Sequence, residues 1–117
     1  MPSLLDDFAD RHDEAVVRRG GEIFVAVEVM DEFISEVERR GVRILGLEGF
    51  LIADDATYPS LDRIADFSDE HDAGRSARWA RELIHGDWRA PPRPGDAMHS
   101  AASGRYMLVV VLDATAR

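Results

Sequence analysis

The chain has 117 residues, 45% of them hydrophobic and 32% charged, with a formal net charge of −9. That length can bury a core of its own, so one domain spanning residues 1–117 is expected. There is no cysteine and all 14 basic residues are arginine, which excludes disulfides, thiolate metal sites, thiol nucleophiles, lysine Schiff bases and lysine-type phosphate loops.

Residues 1–7 place no basic region before an apolar one, so no signal peptide is read there, and the cytoplasm is the expected location. No apolar run reaches the length of a membrane span. Ser3 is placed to cap a first helix, with Asp6 at the third position. Leu5, Phe8, His12, Ala15 and Val16 form its apolar stripe, and His12 reads as a partly buried core histidine. Arg18-Arg19-Gly20-Gly21 ends the stripe, and the two glycines predict a tight joint to a second helix in an antiparallel helical hairpin.

Ile23, Val27, Met30, Ile34 and Val37 recur at three and four residues, with Phe24, Ala26 and Phe33 widening the stripe. Glu28, Glu32, Ser35, Glu36 and Arg39 fall opposite. This spacing predicts a continuous second helix; the alternation of Ile23, Val25, Val27 and Val29 supports the rival, a strand followed by a short helix. Arg39-Arg40-Gly41 is a helix ending, with cations at the negative end of the dipole and a glycine for a left-handed cap.

Residues 42–52 are apolar on both faces, as a central strand requires. Gly46 and Gly49 interrupt the run and predict bulges or close backbone approaches. Glu48 lies between them, at a bulge facing water or, less simply, at a cleft. Residues 53–57 read as a turn. Residues 58–67 fit either a helix after Ser60 or a hairpin arm returning on the strand. Residues 68–74 are polar. Residues 76–84 predict a third helix with Trp79, Ala80, Leu83 and Ile84 inward and Gly86 as its stop. Residues 89–95 hold three prolines, which forbid regular helix or central strand and predict a surface crossing continued over 96–104. Residues 106–112 predict a second buried strand beside the first.

The acidity is uneven: residues 1–72 hold 19 acids and 7 arginines, residues 73–117 hold 4 and 7. An acidic surface disfavours nucleic acid and anionic membranes and favours a basic partner. The densest window carries Asp54, Asp55, Asp62, Asp66, Asp69, Glu70 and Asp72 against Arg63 alone. It lacks calcium-loop spacing, so no metal is expected there and these seven are the candidate partner-binding residues, in a stretch read as mostly loop. His12, His71, His85 and His99 are scattered, no serine stands in a nucleophile elbow, and no glycine loop has nucleotide-binding spacing. No catalytic residue and no cofactor is assigned. Arg75, Arg78 and Arg81 share a helical face, as an anion grip or a solvated surface.

The segment Gly41-Val42-Arg43-Ile44-Leu45-Gly46-Leu47-Glu48-Gly49-Phe50, followed by Tyr58-Pro59 and Asp66-Phe67-Ser68, resembles a pattern in small bacterial α/β proteins, immunity proteins of polymorphic toxin systems among them. The resemblance implies protein binding and brings no catalytic residues. The expected fold is therefore α+β, with two N-terminal helices and a later helix packed on a small, mainly antiparallel sheet. The expected function is an immunity-protein or antitoxin-like binding module with an acidic face for a basic protein partner. A small-ligand binder or enzyme with a site near Glu48 is the alternative, requiring a cleft in which Glu48, an arginine and a histidine converge.

Overall fold

The computed structural model describes residues 4–53, 56–90 and 105–113. The chain runs through α1 (Leu4–Arg11), a 3-10 turn, β1 (Val16–Arg19), β2 (Glu22–Ala26), a second 3-10 turn (Val27–Val29), α2 (Met30–Arg39), β3 (Ile44–Ile52), β4 (Thr57–Asp66), α3 (Ala73–His85) and β5 (Arg105–Leu112). Among the described residues the strands form one five-stranded sheet in the order β1-β2-β5-β3-β4, antiparallel at every pairing. The three helices bury their apolar stripes in one cluster with one face of the sheet. The fold is α+β, as the apolar patterning predicts. Ser3, Asp54, Asp55 and the proline-rich crossing over residues 91–104, His99 included, lie outside the described residues.

β3 and β5 carry the centre of the sheet because both of their faces are apolar. Ile44, Leu47, Leu51, Tyr106, Leu108 and Val110 face the helices, while Ile52, Met107 and Val109 face the other way. Both glycines of β3 mark register shifts. Between Ile44 and Gly46 the pairing with β5 slips, and between Glu48 and Phe50 the pairing with β4 slips. A Cβ on Gly46 would lie 2.9 Å from the Ala65 carbonyl oxygen, and one on Gly49 would lie 2.6 Å from the Arg63 Cβ. No side chain fits at either place, which is why the strand needs glycine there.

α2 begins where the helical spacing begins to pay off in burial, with Met30, Phe33, Ile34 and Val37 all in the core. It ends as expected. Gly41 has φ +66°, its N–H donates to the Glu38 carbonyl at 3.0 Å, and the Val42 N–H donates to that of Val37 at 3.1 Å. This is the paired 5→2 and 6→1 arrangement of a Schellman cap, closed by Val42 against Val37 in the core.

Two expectations in this part of the chain are corrected. Residues 23–29 do not continue the helix; the strand-then-helix reading is the one adopted. Val25 and Ala26 pair with Leu108 and Met107 of β5, and both faces of β2 are buried. A helix would bury one stripe and forfeit the pairing. The helical hairpin is a β-hairpin: α1 stops at Arg11, Arg19 pairs with Glu22, and Gly20 and Gly21 have φ +60° and +82°. Two positive-φ residues closing a two-residue loop match the twist of paired strands.

The β1–β2 hairpin pairs with β5 only through Val25 and Ala26. Its outer part reaches across the face that the helices leave open. Phe24 stands edge-on to Phe50 with ring centroids 5.2 Å apart, and Phe24, Ala26, Ile52, Met107 and Val109 form a second buried cluster. β4 is the far edge. Residues 58–67, ambiguous in sequence, form a hairpin arm on β3, with Tyr58 opposite Leu51 and Ile64 opposite Glu48.

Candidate functional site

β4 and the turn after it hold five of the seven candidate acids. Asp62 and Asp66 lie on the edge strand β4 rather than on a loop, which corrects the expectation for this stretch. The strand forms because β3 offers a free edge, and local spacing alone does not require it. Ile64 stands between the two acids on the sheet face away from the helices and is 57% exposed. The Asp66 carboxylate accepts the Ser68 N–H at 2.8 Å, and hydrogen bonding from Ser68 holds its pKa below the usual carboxylate range. Asp62 and Asp69 are exposed.

The other two acids are structural. Asp72 caps α3, its Oδ1 accepting the Arg75 N–H at 2.9 Å, a role legible in the sequence but not assigned from it. Glu70 accepts the Asp72 N–H at 3.2 Å and stands 3.9 Å from Arg75. Arg43 ties this turn to the sheet: its Nη1 donates to the Ser68 and Glu70 carbonyls at 3.1 and 2.9 Å, and its Nη2 reaches Asp113 at 3.2 Å. His71 lies against the same guanidinium, with Nδ1 3.5 Å from Nη1.

α3 buries Ser76, Ala77, Ala80 and Ile84. The small side chains bring the helix close to β3, and the Ser76 hydroxyl accepts the Ile44 N–H at 3.1 Å. There is no room for an indole on that face. Trp79, expected inward, is 44% exposed and lies over buried Phe67, centroids 6.2 Å apart and planes tilted by 58°. The two rings line a groove of about 370 Å³ with Leu83, Glu82 and Asp87 along it.

The helix layer shows the opposite electrostatics. Glu36, with its side chain 11% exposed, pairs with Arg11 at 2.8 Å, with Arg39, and with Arg40 at 3.5 Å. The hydrogen bond from Arg39, reinforced by the charges of Arg39, Arg11 and Arg40, holds its carboxyl below the usual range against the effect of burial. His12 stacks on Phe8 at 4.2 Å and stands 3.4 Å from Glu32; it is partly buried, as its place on the stripe suggests. His85 meets Asp31 at 2.7 Å, and Arg81 meets Glu38 at 2.6 Å and Ser35 at 2.9 Å. A cleft of about 300 Å³ between α1 and α2 is lined by Arg11, His12, Asp31, Glu32, Glu36 and Arg39 among others. Arg75, Arg78 and Arg81 do not converge: Arg75 turns to Glu70 and Arg81 to α2.

A further polar group was missed in sequence. Arg63 lies over Gly49, the Tyr106 hydroxyl donates to the Trp88 carbonyl at 3.0 Å, and burial pushes the Tyr106 phenol up, with Arg63 opposing. Ser60 Oγ and Arg63 Nε are buried without a hydrogen-bond partner among the described residues. Only the isolated arginine in an acidic window could have pointed here.

Glu48 lies between Val109 and Ile64 on neighbouring strands. Neither the groove at Trp79 nor the cleft between α1 and α2 includes it. Among the described residues, no three histidine or acidic side chains are placed to hold a metal ion, and no helix is long and apolar enough to cross a membrane. Comparison with protein-family models, with curated proteins and with solved structures finds no match to this chain.

Proposed function

We propose that this chain is a small cytoplasmic protein-binding module of the immunity-protein or antitoxin type, whose acidic side neutralises a basic protein and does not engage nucleic acid. One contrast carries the reading. Acids of α1 and α2 are engaged internally: Asp7 with Arg40, Asp10 with Arg18, Glu36 with its three arginines and Glu38 with Arg81, while Asp31 and Glu32 stand against the His85 and His12 rings. Asp62, Asp66 and Asp69, along β4 and its turn, are exposed and form no ion pair with any described residue. Unneutralised charge set on a rigid sheet edge steers an oppositely charged partner and sharpens specificity.

The test is association kinetics on a partner recovered by pull-down. Replacing Asp62, Asp66 and Asp69 by asparagine should slow association and flatten its dependence on salt, with the fold retained because exposed charges add little stability and an amide oxygen at position 66 still accepts the Ser68 N–H. Glu70 and Asp72 are left intact because they build the turn. Equal rates and equal salt slopes for the two proteins would remove this edge from the reading.

A further inference from the structure

The groove between Phe67 and Trp79 combines an exposed aromatic face with carboxylates that no described residue pairs with. Trp79 and Leu83, one helical turn apart, and Phe67 below them make an apolar floor and wall. Glu82 and Asp87 line the same groove and are exposed. No described residue forms an ion pair with either, Arg78 one turn before Glu82 included. Arg75 is held by Glu70 at 3.9 Å and Arg81 by Glu38 at 2.6 Å. The volume, about 370 Å³, is at the small end of ligand sites, suited to one side chain.

We propose that this groove is a slot for a single arginine side chain of the basic partner. The proposal rests on the partner-binding reading above. The methylenes of the arginine lie on Phe67 and Leu83. Its guanidinium stacks on the Trp79 indole, where the negative ring face attracts a cation. The edge of the guanidinium presents its N–H groups to Glu82 and Asp87, which accept them as charge-assisted hydrogen bonds. A planar, weakly hydrated guanidinium suits a slot bounded by a ring and two carboxylates better than a compact, strongly hydrated ammonium. An exposed tryptophan beside acids is also the residue type on which binding energy concentrates at interfaces.

The test titrates the full chain with N-acetyl-arginine amide and, separately, with its neutral isostere N-acetyl-citrulline amide, following ¹H–¹⁵N spectra. The Trp79 indole N–H and the Glu82, Gly86 and Asp87 amides should shift saturably with the arginine probe and not with the citrulline one. Trp79→Leu, read on the amides, and Glu82→Gln/Asp87→Asn, read on the indole, should each weaken binding about tenfold, the loss expected of one cation–π contact or charge-assisted pair in a partly desolvated site. Equal shifts with both probes, no shift at Trp79, or unchanged binding in both variants overturns the slot. So does movement of the Trp79 signal with protein concentration alone, which would mean that a second copy of this chain fills the groove. The two readings fail separately. A natural partner that binds Trp79→Leu with unchanged affinity removes the slot and leaves the module. An arginine probe that binds at Trp79, with no protein recovered by pull-down, removes the module and leaves the slot.

Discussion

Arg19 Nη1 donates to the carbonyl oxygen of Ala53 at 2.9 Å, although strands β2 and β5 separate β1 from β3 in the sheet. The same nitrogen lies 3.1 Å from the Ala56 carbonyl and 3.2 Å from the Thr57 hydroxyl. Such a contact is possible only because the β1–β2 hairpin leaves its pairing with β5 and reaches across the sheet. The arginine thus fastens the hairpin tip to the base of the turn between β3 and β4, over the cluster formed by Phe24, Met107 and Val109.

Arg19→Ala should therefore destabilise the fold by about 1–3 kcal/mol, the usual range for partly buried hydrogen bonds from a charged donor. The urea midpoint should fall accordingly. An unchanged midpoint would mean that the hairpin is held by its pairing with β5 and the Phe24 cluster without help from this arginine.

Gly49→Ala tests the bulge. Its new Cβ would meet the Arg63 Cβ at 2.6 Å, and that contact is not the far end of a flexible chain. The cost should be about 1–3 kcal/mol, as for other overpacked sites. Arg63→Gly in the same chain should recover part of it. Additive losses in the double variant would show that the two residues do not compete for one space.

Glu36 sets an acid limb of stability. Its carboxyl pKa is depressed in the folded chain by hydrogen bonding and charge from Arg39, Arg11 and Arg40. A depressed carboxyl contributes stability that is present above its unfolded value, about 4.3, and lost as pH falls through its folded value. Wild type should melt above Glu36→Gln at neutral pH, and the gap should close as pH drops below that range. A gap that persists at low pH would assign the difference to packing.

Asp72 and Asp69 separate structure from recognition within one acidic window. Asp72→Ala removes the cap of α3 and should cost about 0.5–2 kcal/mol, with the salt dependence of association little changed. Asp69→Ala should do the reverse. Matched thermal melts and association rates on both variants check this; a loss of on-rate from Asp72→Ala alone would place the recognition surface at the helix start instead.

The residues by themselves determined a good deal. Apolar character on both faces marked 42–52 and 106–112 as the central strands, because only a strand covered on both sides tolerates it. Gly41 and its arginines announced the end of α2, a local matter of backbone conformation. Gly46 and Gly49 announced irregular pairing, although what crowds them, the Ala65 carbonyl and Arg63, is far away in sequence. Tertiary structure decided whatever depended on a distant partner. Residues 23–29 carry both helical and alternating spacing, and the pairing of Val25 and Ala26 with β5 chose between them. Gly20-Gly21 suits several joints, and the strands on either side made it a hairpin. Trp79 has the spacing of a buried residue, but the close approach of Ser76, Ala77 and Ala80 to the sheet left the indole outside. The acidic window reads as uniform in one dimension. Folding assigned Asp72 to a helix cap and Glu70 to a turn, and left Asp62 and Asp69 facing water, because hydrogen-bond donors from Arg75 and Asp72 reach only the first two.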